Sequence, residues 1–250
     1  MTLHRVARFA DVPENRGLEV RIGETKIVLL QVGEQLRAFQ GECPHAGAPL
    51  AEGALCNGRL ICPWHKAAFR IEDGALCEPP ALDSLKRYPL EIREDEVWVD
   101  DQPLIDAHTP PADDERVFVI IGAGAAGTAA ACALREKGFG GRIQLIDREP
   151  DAGYDRTVLS KFVLAGEMPP DQVPPLREED FYREQRIERV RGEVASIDAP
   201  NNTVHLVDGQ TLDYDAALLA TGGIPKPLDV PGADLPQVFL LRSKEQAQRI

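Results

Sequence analysis

Four side chains able to bind a soft metal occur as two short pairs, Cys43 and His45 in CPHAGAPL and Cys62 and His65 in CPWH. Thiolate suits zinc and iron–sulfur centres, and imidazole serves both. Pairs separated in this way meet only if flanking strands bring two loops together. The prolines and glycines of these loops stiffen the backbone and let amide N–H groups turn toward a bound anion or sulfide. A Cys2His2 set is also a common structural zinc site. Zinc fingers, however, usually combine C-x-x-C with H-x3–5-H rather than one Cys and one His per loop.

A second pattern is Gly122-x-Gly124-x-x-Gly127, which follows the buried run VFVII and opens an alanine-rich stretch. In a strand–turn–helix context this is a dinucleotide cradle. The first glycine makes the turn, the second lets a pyrophosphate approach the backbone, and the third lets helix and strand pack closely. Gly122, Gly124, Ala125, Ala126 and Gly127 are the candidate phosphate-binding set, with the phosphates on the helix N-terminus. Asp147 ends the second strand of the unit, where a carboxylate accepts from ribose hydroxyls.

The elements that position these residues change character near residue 110. Upstream, runs such as EVRI, KIVLLQV, RLIC, YPLEI and VWV alternate with turn residues, and Asn57-Gly58 predicts a two-residue hairpin. Residues 1–105 are expected to form an all-β domain. Residues 106–115, DAHTPPADDE, read as a polar linker. Residues 116–250 read as an α/β domain opened by a βαβ unit. There EDFYREQRI is expected to be a short helix, EVASIDA, TVHLV and QTLDY strands, and DAALLATGG a buried strand ending in a tight turn.

A net charge of −13 argues against nucleic acid and against an anionic membrane as partners, because both need a basic footprint. MTLHRVARFADVPENRG lacks the apolar core of a secretory signal, and no stretch approaches eighteen apolar residues. The five cysteines then read as metal ligands or packing residues, not as a disulfide framework, and the expected compartment is cytoplasmic.

C-x-H…C-x-x-H with strand-rich flanks resembles the Rieske [2Fe–2S] motif. The resemblance implies Cys43 and Cys62 on one iron and His45 and His65 on the other. Ala48 and Trp64 stand where respiratory members carry a disulfide. Ala67 and Phe69 stand where they carry a Ser and a Tyr that hydrogen-bond the sulfurs. Without those donors the expected potential lies toward the low end of a range of about −150 to +300 mV. Further along, YDRTVLSK, LAGEMP, LREEDFY and ALLATGG, in that order after the glycine turn, resemble the apoptosis-inducing-factor-like and ferredoxin-reductase flavoproteins. In that family the first glycine turn holds FAD and a later domain holds NAD(P)H. The resemblance places Arg156 and Lys161 near the flavin, Thr221 and Gly222 along the cofactor, and Val194 near the adenine. No C-x4-C follows the helix, which excludes the branch that needs a redox Cys pair beside the flavin.

The resemblances together imply an all-β Rieske domain followed by an incomplete Rossmann-like FAD-binding domain of the pyridine nucleotide-disulfide oxidoreductase type. The implied activity is electron transfer: NAD(P)H reduces FAD, and FAD passes electrons to the cluster and on to a redox acceptor protein, an oxygenase among the classes that fit. These 250 residues contain no second glycine turn and no returning FAD segment. The chain is therefore read as the N-terminal portion of a longer reductase, or as one half of a split one whose C-terminal half is a separately encoded partner. Alone it is not expected to oxidise NAD(P)H, and apolar surface on its last strands is expected to lack cover. The alternatives are a stand-alone low-potential Rieske carrier whose C-terminal half only docks, and a zinc module.

Overall fold

A computed structural model describes residues 2–33, 35–104 and 114–250. Backbone contacts divide the chain into two units, Met1–Ala107 and His108–Ile250. Of the predicted linker, residues 106–113 lie outside the described residues.

The first unit is built from β1 (Leu3–Arg8), β2 (Leu18–Ile22), β3 (Thr25–Val32), β4 (Gln35–Gln40), β5 (Ala54–Cys56), β6 (Arg59–Ile61), β7 (Ala68–Arg70), β8 (Leu76–Glu78), β9 (Arg87–Tyr88), β10 (Leu90–Arg93) and β11 (Glu96–Asp100). They form three sheets, ordered β1-β11-β10, β2-β3-β4-β9 and β5-β6-β7-β8. Successive side chains of a strand point to opposite faces, and β3 uses both. Val28 and Leu30 enter one core with Phe39, Leu50, Leu60 and Phe69. Ile27 and Leu29 enter a second with Ala38, Val97 and Val99. The predicted hairpin joins β5 to β6 with Asn57 and Gly58 at φ 50° and 72°, the left-handed pair that a type I′ turn requires. YPLEI, expected as a single strand, is two: β9 pairs with β4 and β10 with β11. Pro89 between them has no N–H for a ladder, and its carbonyl accepts from Asp100 N–H at 2.9 Å.

In the second unit β12 (Val117–Ile121), α1 (Ala125–Glu136) and β13 (Arg142–Asp147) form the predicted βαβ unit, with β12 and β13 parallel. There follow α2 (Glu179–Glu184), β14 (Ile187–Arg191), β15 (Val194–Asp198), β16 (Thr203–Leu206), β17 (Thr211–Asp213), β18 (Ala216–Leu219) and α3 (Lys244–Arg249). The parallel sheet runs β14-β13-β12-β18, and β15-β16-β17 make a separate sheet. Ile120, Ile143 and Leu145 pack against Ala131 of α1 and Tyr182 of α2. On the other face Val119, Ile121 and Ile146 meet Val204, Leu206 and Leu212.

The helix expected over EDFYREQRI stops at Glu184. Arg186 takes φ 52°, and Ile187 starts β14 opposite Ile143. The Arg135 guanidinium fixes this reversal by donating to Gln185 O at 2.6 Å and Arg186 O at 2.8 Å. DAALLATGG, expected as a buried strand, forms β18 with Ala216 half-buried and Ala217, Leu218 and Leu219 exposed, because among the described residues β18 is an edge strand paired only with β12. Leu219 and Ile224, at and beyond its end, are 66% and 82% exposed, which puts apolar surface where it was expected to lack cover. Among the described residues no helix is long and apolar enough to cross a membrane.

Candidate functional site

The two Cys–His loops share one backbone turn. In the first, Cys43 N–H donates to Ala48 O at 2.8 Å and Gly47 N–H to Cys43 O at 2.9 Å. In the second, Cys62 N–H donates to Ala67 O at 2.8 Å and Lys66 N–H to Cys62 O at 3.2 Å. The fourth residue after each Cys is left-handed, Gly47 at φ 75° and Lys66 at φ 66°. Glycine adopts this freely, whereas a lysine does so only when its surroundings impose it. β6 and β7 anchor the second loop at both ends.

Cys43 and Cys62 are buried against the core that contains Leu50, Leu60 and Phe69. Their thiols lie within hydrogen-bonding reach of each other, and Cys43 Sγ accepts from the N–H groups of His45 and Ala46. Burial is the main cause that pushes the Cys43 thiol up to about 11, against those N–H donors, which favour the thiolate. A bound metal reverses such a preference and deprotonates a coordinating thiol. All five cysteines are free, with Ala48 buried and Trp64 exposed at the two positions that would carry a disulfide in respiratory members.

His45 is half-buried and His65 exposed. Their Nδ1 atoms lie 3.1 Å apart, with the rings edge to face at 84°. Two nitrogens on one tetrahedral metal, with bonds of about 2.0–2.1 Å, lie about 3.4 Å apart. The observed separation fits joint ligation. Among the described residues no three His, Cys, Asp or Glu side chains enclose a single metal position. The donors instead form two pairs, thiols within and imidazoles at the surface. That arrangement suits a dinuclear cluster with two protein ligands per iron better than one zinc ion with four.

The glycine turn is closed on two sides and open on the third. Gly122 has φ 108°, and a Cβ there would stand 2.3 Å from Ala220 O. At Gly127 a Cβ would meet Gly122 O at 1.8 Å, so α1 is pressed onto the turn. Around Gly124 nothing lies within 4 Å of the Cβ position. This is the side from which a phosphate can approach. α1 has no side-chain cap, which leaves the N–H groups of Ala125 and Ala126, at the positive end of the helix, for an anion.

Asp147 Oδ2 accepts from Ala123 N–H at 2.9 Å and Oδ1 from Glu149 N–H at 3.0 Å, so this carboxylate braces the turn. A cavity of about 480 Å³ beside it brings together Gly122, Asp147, Val194, Thr221 and Gly222. Arg148 and Glu193, which sequence reasoning missed, line the same wall. Arg148 directly follows the acid expected at the ribose and could have been suspected on that ground. Glu193 gives no such signal, because the turn between β14 and β15 brings it there.

Arg156 and Lys161 are not among the residues lining this cavity. Arg156 donates to Glu149 Oε1 at 2.5 Å, Tyr154 OH at 3.1 Å and Arg242 O at 2.8 Å. Buried Tyr154 donates to Glu149 Oε2 at 2.7 Å and accepts from Lys244 N–H at 3.0 Å. Burial, then the Glu149 hydrogen bond, push its phenol up to about 12. The network ties YDRTVLSK to α3, and Lys161 is exposed on a π-helical turn, Leu159–Val163. Gly153 packs this segment onto the glycine turn, since a Cβ there would stand 1.9 Å from Ala123 O.

Paired thiol and imidazole loops on one unit, and a dinucleotide cradle on the other, are the equipment of a redox protein with two cofactors. Residues 116–250 match the family model described as pyridine nucleotide-disulphide oxidoreductase, and residues 2–89 match that of the Rieske [2Fe-2S] domain. The chain belongs to the pyridine nucleotide-disulphide oxidoreductase family and carries a Rieske domain ahead of that fold. It is 35% identical over 259 residues to Apoptosis-inducing factor 3 of Mus musculus, across 98% of this chain and 42% of that protein. It is 44% identical over 130 residues to the benzene 1,2-dioxygenase system ferredoxin–NAD(+) reductase subunit of Pseudomonas putida, across 52% of this chain and 31% of that one. A solved ferredoxin reductase from Rhodopseudomonas palustris shares 36% identity at a TM-score of 0.50, across 54% of this chain and 33% of that one. The chain thus spans less than half the length of these relatives. The Rieske domain implies a [2Fe–2S] cluster, and the second family with its ferredoxin-reductase relatives implies FAD. The paired donors fit the first, and the open Gly124 side with the uncapped α1 fits the second.

Proposed function

We propose that this chain is an electron-transfer portion of a reductase, in which NAD(P)H is the donor through FAD and a redox protein is the acceptor by way of the Rieske cluster. The observation that carries the reading is the division of four donors into a thiol pair and an imidazole pair, in the same chain as a phosphate cradle. Cys43 and Cys62 hold one iron, and His45 and His65 hold the other. Neutral imidazoles leave the cluster less negative than thiolates would, which makes it easier to reduce. When bound, FAD supplies the exchange of electrons in pairs with a nicotinamide and singly with an iron–sulfur centre.

The chain's own residues position these groups. The N–H groups of Ala125 and Ala126 receive the pyrophosphate on the Gly124 side, with Gly122 and Gly127 closing the turn. Asp147 holds the turn in shape. Val194 lies on the adenine side, Thr221 and Gly222 run along the cofactor, and Arg156 and Lys161 belong to the flavin end. Exposed His65 brings the cluster edge to the surface of its unit. An oxygenase component is the favoured acceptor class, since one relative is named for a dioxygenase system. Free cysteines fit a reducing, cytoplasmic compartment. Gel filtration of residues 1–250 with excess FAD tests the flavin half. Retained stoichiometric flavin is expected. An intact cluster with no retained flavin would favour the stand-alone carrier.

A further inference from the structure

One carbonyl of the glycine turn is held by a side chain whose presence the glycine pattern does not explain. Thr128, wholly buried in the first turn of α1, donates its hydroxyl to Ala123 O at 3.0 Å. A threonine inside a helix ordinarily bonds the carbonyl three or four residues back. This one reaches five residues back, past the start of α1, to the turn itself. Ala123 is 3% exposed, and Gly153 packs so closely that a Cβ there would stand 1.9 Å from Ala123 O and 3.2 Å from Thr128 Oγ1. The carbonyl is sealed from solvent, and among the described residues the Thr128 hydroxyl is the donor that satisfies it. Ala123 N–H is held in turn by Asp147 Oδ2 at 2.9 Å. The peptides on both sides of Ala123 are therefore pinned, one by Asp147 and the other by Thr128.

Resting on the reading of this turn as the FAD cradle, we propose that Thr128 is a positioning residue for the cofactor: its hydroxyl sets the orientation of the Ala123–Gly124 peptide, and so the N–H group that Gly124 presents to the pyrophosphate. In a planar trans peptide the C=O and N–H point to opposite sides. With Ala123 O turned in toward Thr128, the Gly124 N–H turns out, and among the described residues it meets no acceptor. A buried carbonyl left without a donor is costly. Loss of the hydroxyl therefore favours rotation of this peptide toward solvent. The rotation puts a carbonyl oxygen where an anion should sit and takes the N–H away from it. Thr128 touches no phosphate and acts through the backbone alone.

The test is FAD titration of the full chain by flavin fluorescence, with Thr128→Val, Thr128→Ala and Thr128→Ser beside wild type. Valine keeps the volume and loses the hydroxyl, whereas serine keeps the hydroxyl and loses the methyl. The valine and alanine variants should raise the FAD Kd at least about fivefold, and the serine variant should stay within about twofold of wild type. A packing role gives the opposite order, with wild-type affinity in Thr128→Val and weak binding in Thr128→Ser, and overturns the proposal. So does a Thr128→Val chain that melts lower yet binds FAD as wild type does. If Thr128→Val does not fold, equal affinities in the alanine and serine variants overturn it. A second readout needs no flavin: in the chain carrying isotope-labelled glycine, the Gly124 amide resonance, assigned by its loss in Gly124→Ala, should shift in the valine and alanine variants and hold its place in the serine one. A resonance that does not move in Thr128→Val or Thr128→Ala overturns the proposal as well. If wild type binds no FAD, the cofactor reading falls and the role of Thr128 toward FAD falls with it, while the resonance still reports whether the hydroxyl sets the peptide.

Discussion

Alanine at Gly127 and alanine at Gly124 should separate folding from cofactor binding within one turn. At Gly127 the added methyl would stand 1.8 Å from Gly122 O and 3.2 Å from Ile120 Cγ2. Carbon contacts settle near 3.5 Å, so α1 must back away from the turn by well over an ångström, and a backbone oxygen cannot rotate aside. Overpacking of this kind costs about 3 kcal/mol at its upper end, and the helix gains about 1 kcal/mol from losing a glycine. The net loss of about 2 kcal/mol lowers Tm by roughly 4–8 °C for a chain of this size. At Gly124, φ is −70° and the Cβ direction is open. A gain of about 0.4–1 kcal/mol from the less flexible unfolded chain nearly cancels the poorer helix cap, so Tm moves by less than about 2 °C. The same methyl occupies the phosphate side, and losing the helix N–H groups should raise the FAD Kd at least about tenfold, or 1.4 kcal/mol. Thermal unfolding by circular dichroism and FAD titration by flavin fluorescence read the two effects. A Gly124→Ala chain that binds FAD as wild type does, or that melts lower than Gly127→Ala, would refute the reasoning.

Three further outcomes follow from named contacts. His65→Cys should keep its iron and lower the midpoint potential on the order of 100 mV, about half the gap between the low Rieske limit and plant-type ferredoxins; an unchanged potential in a variant that retains its cluster counts against His65 as a ligand. Tyr154→Phe removes the hydroxyl shared by Glu149, Arg156 and Lys244 N–H and should destabilise the second unit by roughly 1–3 kcal/mol in denaturant unfolding, whereas an unchanged midpoint would deny the network any role in holding α3. Glu188 accepts from Arg142 at 2.9 Å and from Gln144 at 3.1 Å, and the Arg142 hydrogen bond, first among the causes, holds its carboxyl below the ordinary 4.5. A lowered folded value stabilises above the unfolded value and is lost as pH falls through the folded one. The stability gap between wild type and Glu188→Gln, under about 1 kcal/mol for so exposed a pair, should therefore close below about pH 4. A gap that widens on acidification, measured by urea unfolding, contradicts this sign.

Positions that restrict residue type were the legible ones. Asn57-Gly58 announced a left-handed turn, and Gly122 and Gly127 announced close packing, since a Cβ there would stand 2.3 and 1.8 Å from a backbone oxygen, while Gly124 announced the open side. Lys66 hid the kinship of the two Cys–His loops, because it takes the left-handed place that Gly47 fills in the other. β1 was not read as a strand: LHRVAR has no fully buried residue, and its partner β11 lies at the far end of the unit. The surroundings of Arg156 depend on Arg242, 86 residues away, and those of Tyr154 on Lys244, 90 residues away. No local pattern carries such pairings. The strand start at Ile187 was lost in a helical run because Arg135, on another helix, supplies the donors that fix the reversal.

The central claim is that paired thiols and paired imidazoles share one iron–sulfur cluster, and the most direct measurement is made on the anaerobically prepared chain. Iron and acid-labile sulfide are assayed together with the electron paramagnetic resonance spectrum of the reduced protein. The account predicts about two irons and two sulfides per chain, and a signal with nitrogen coupling from two imidazoles that weakens in His65→Cys. Zinc without sulfide, or an iron–sulfur signal with no nitrogen coupling, would contradict it.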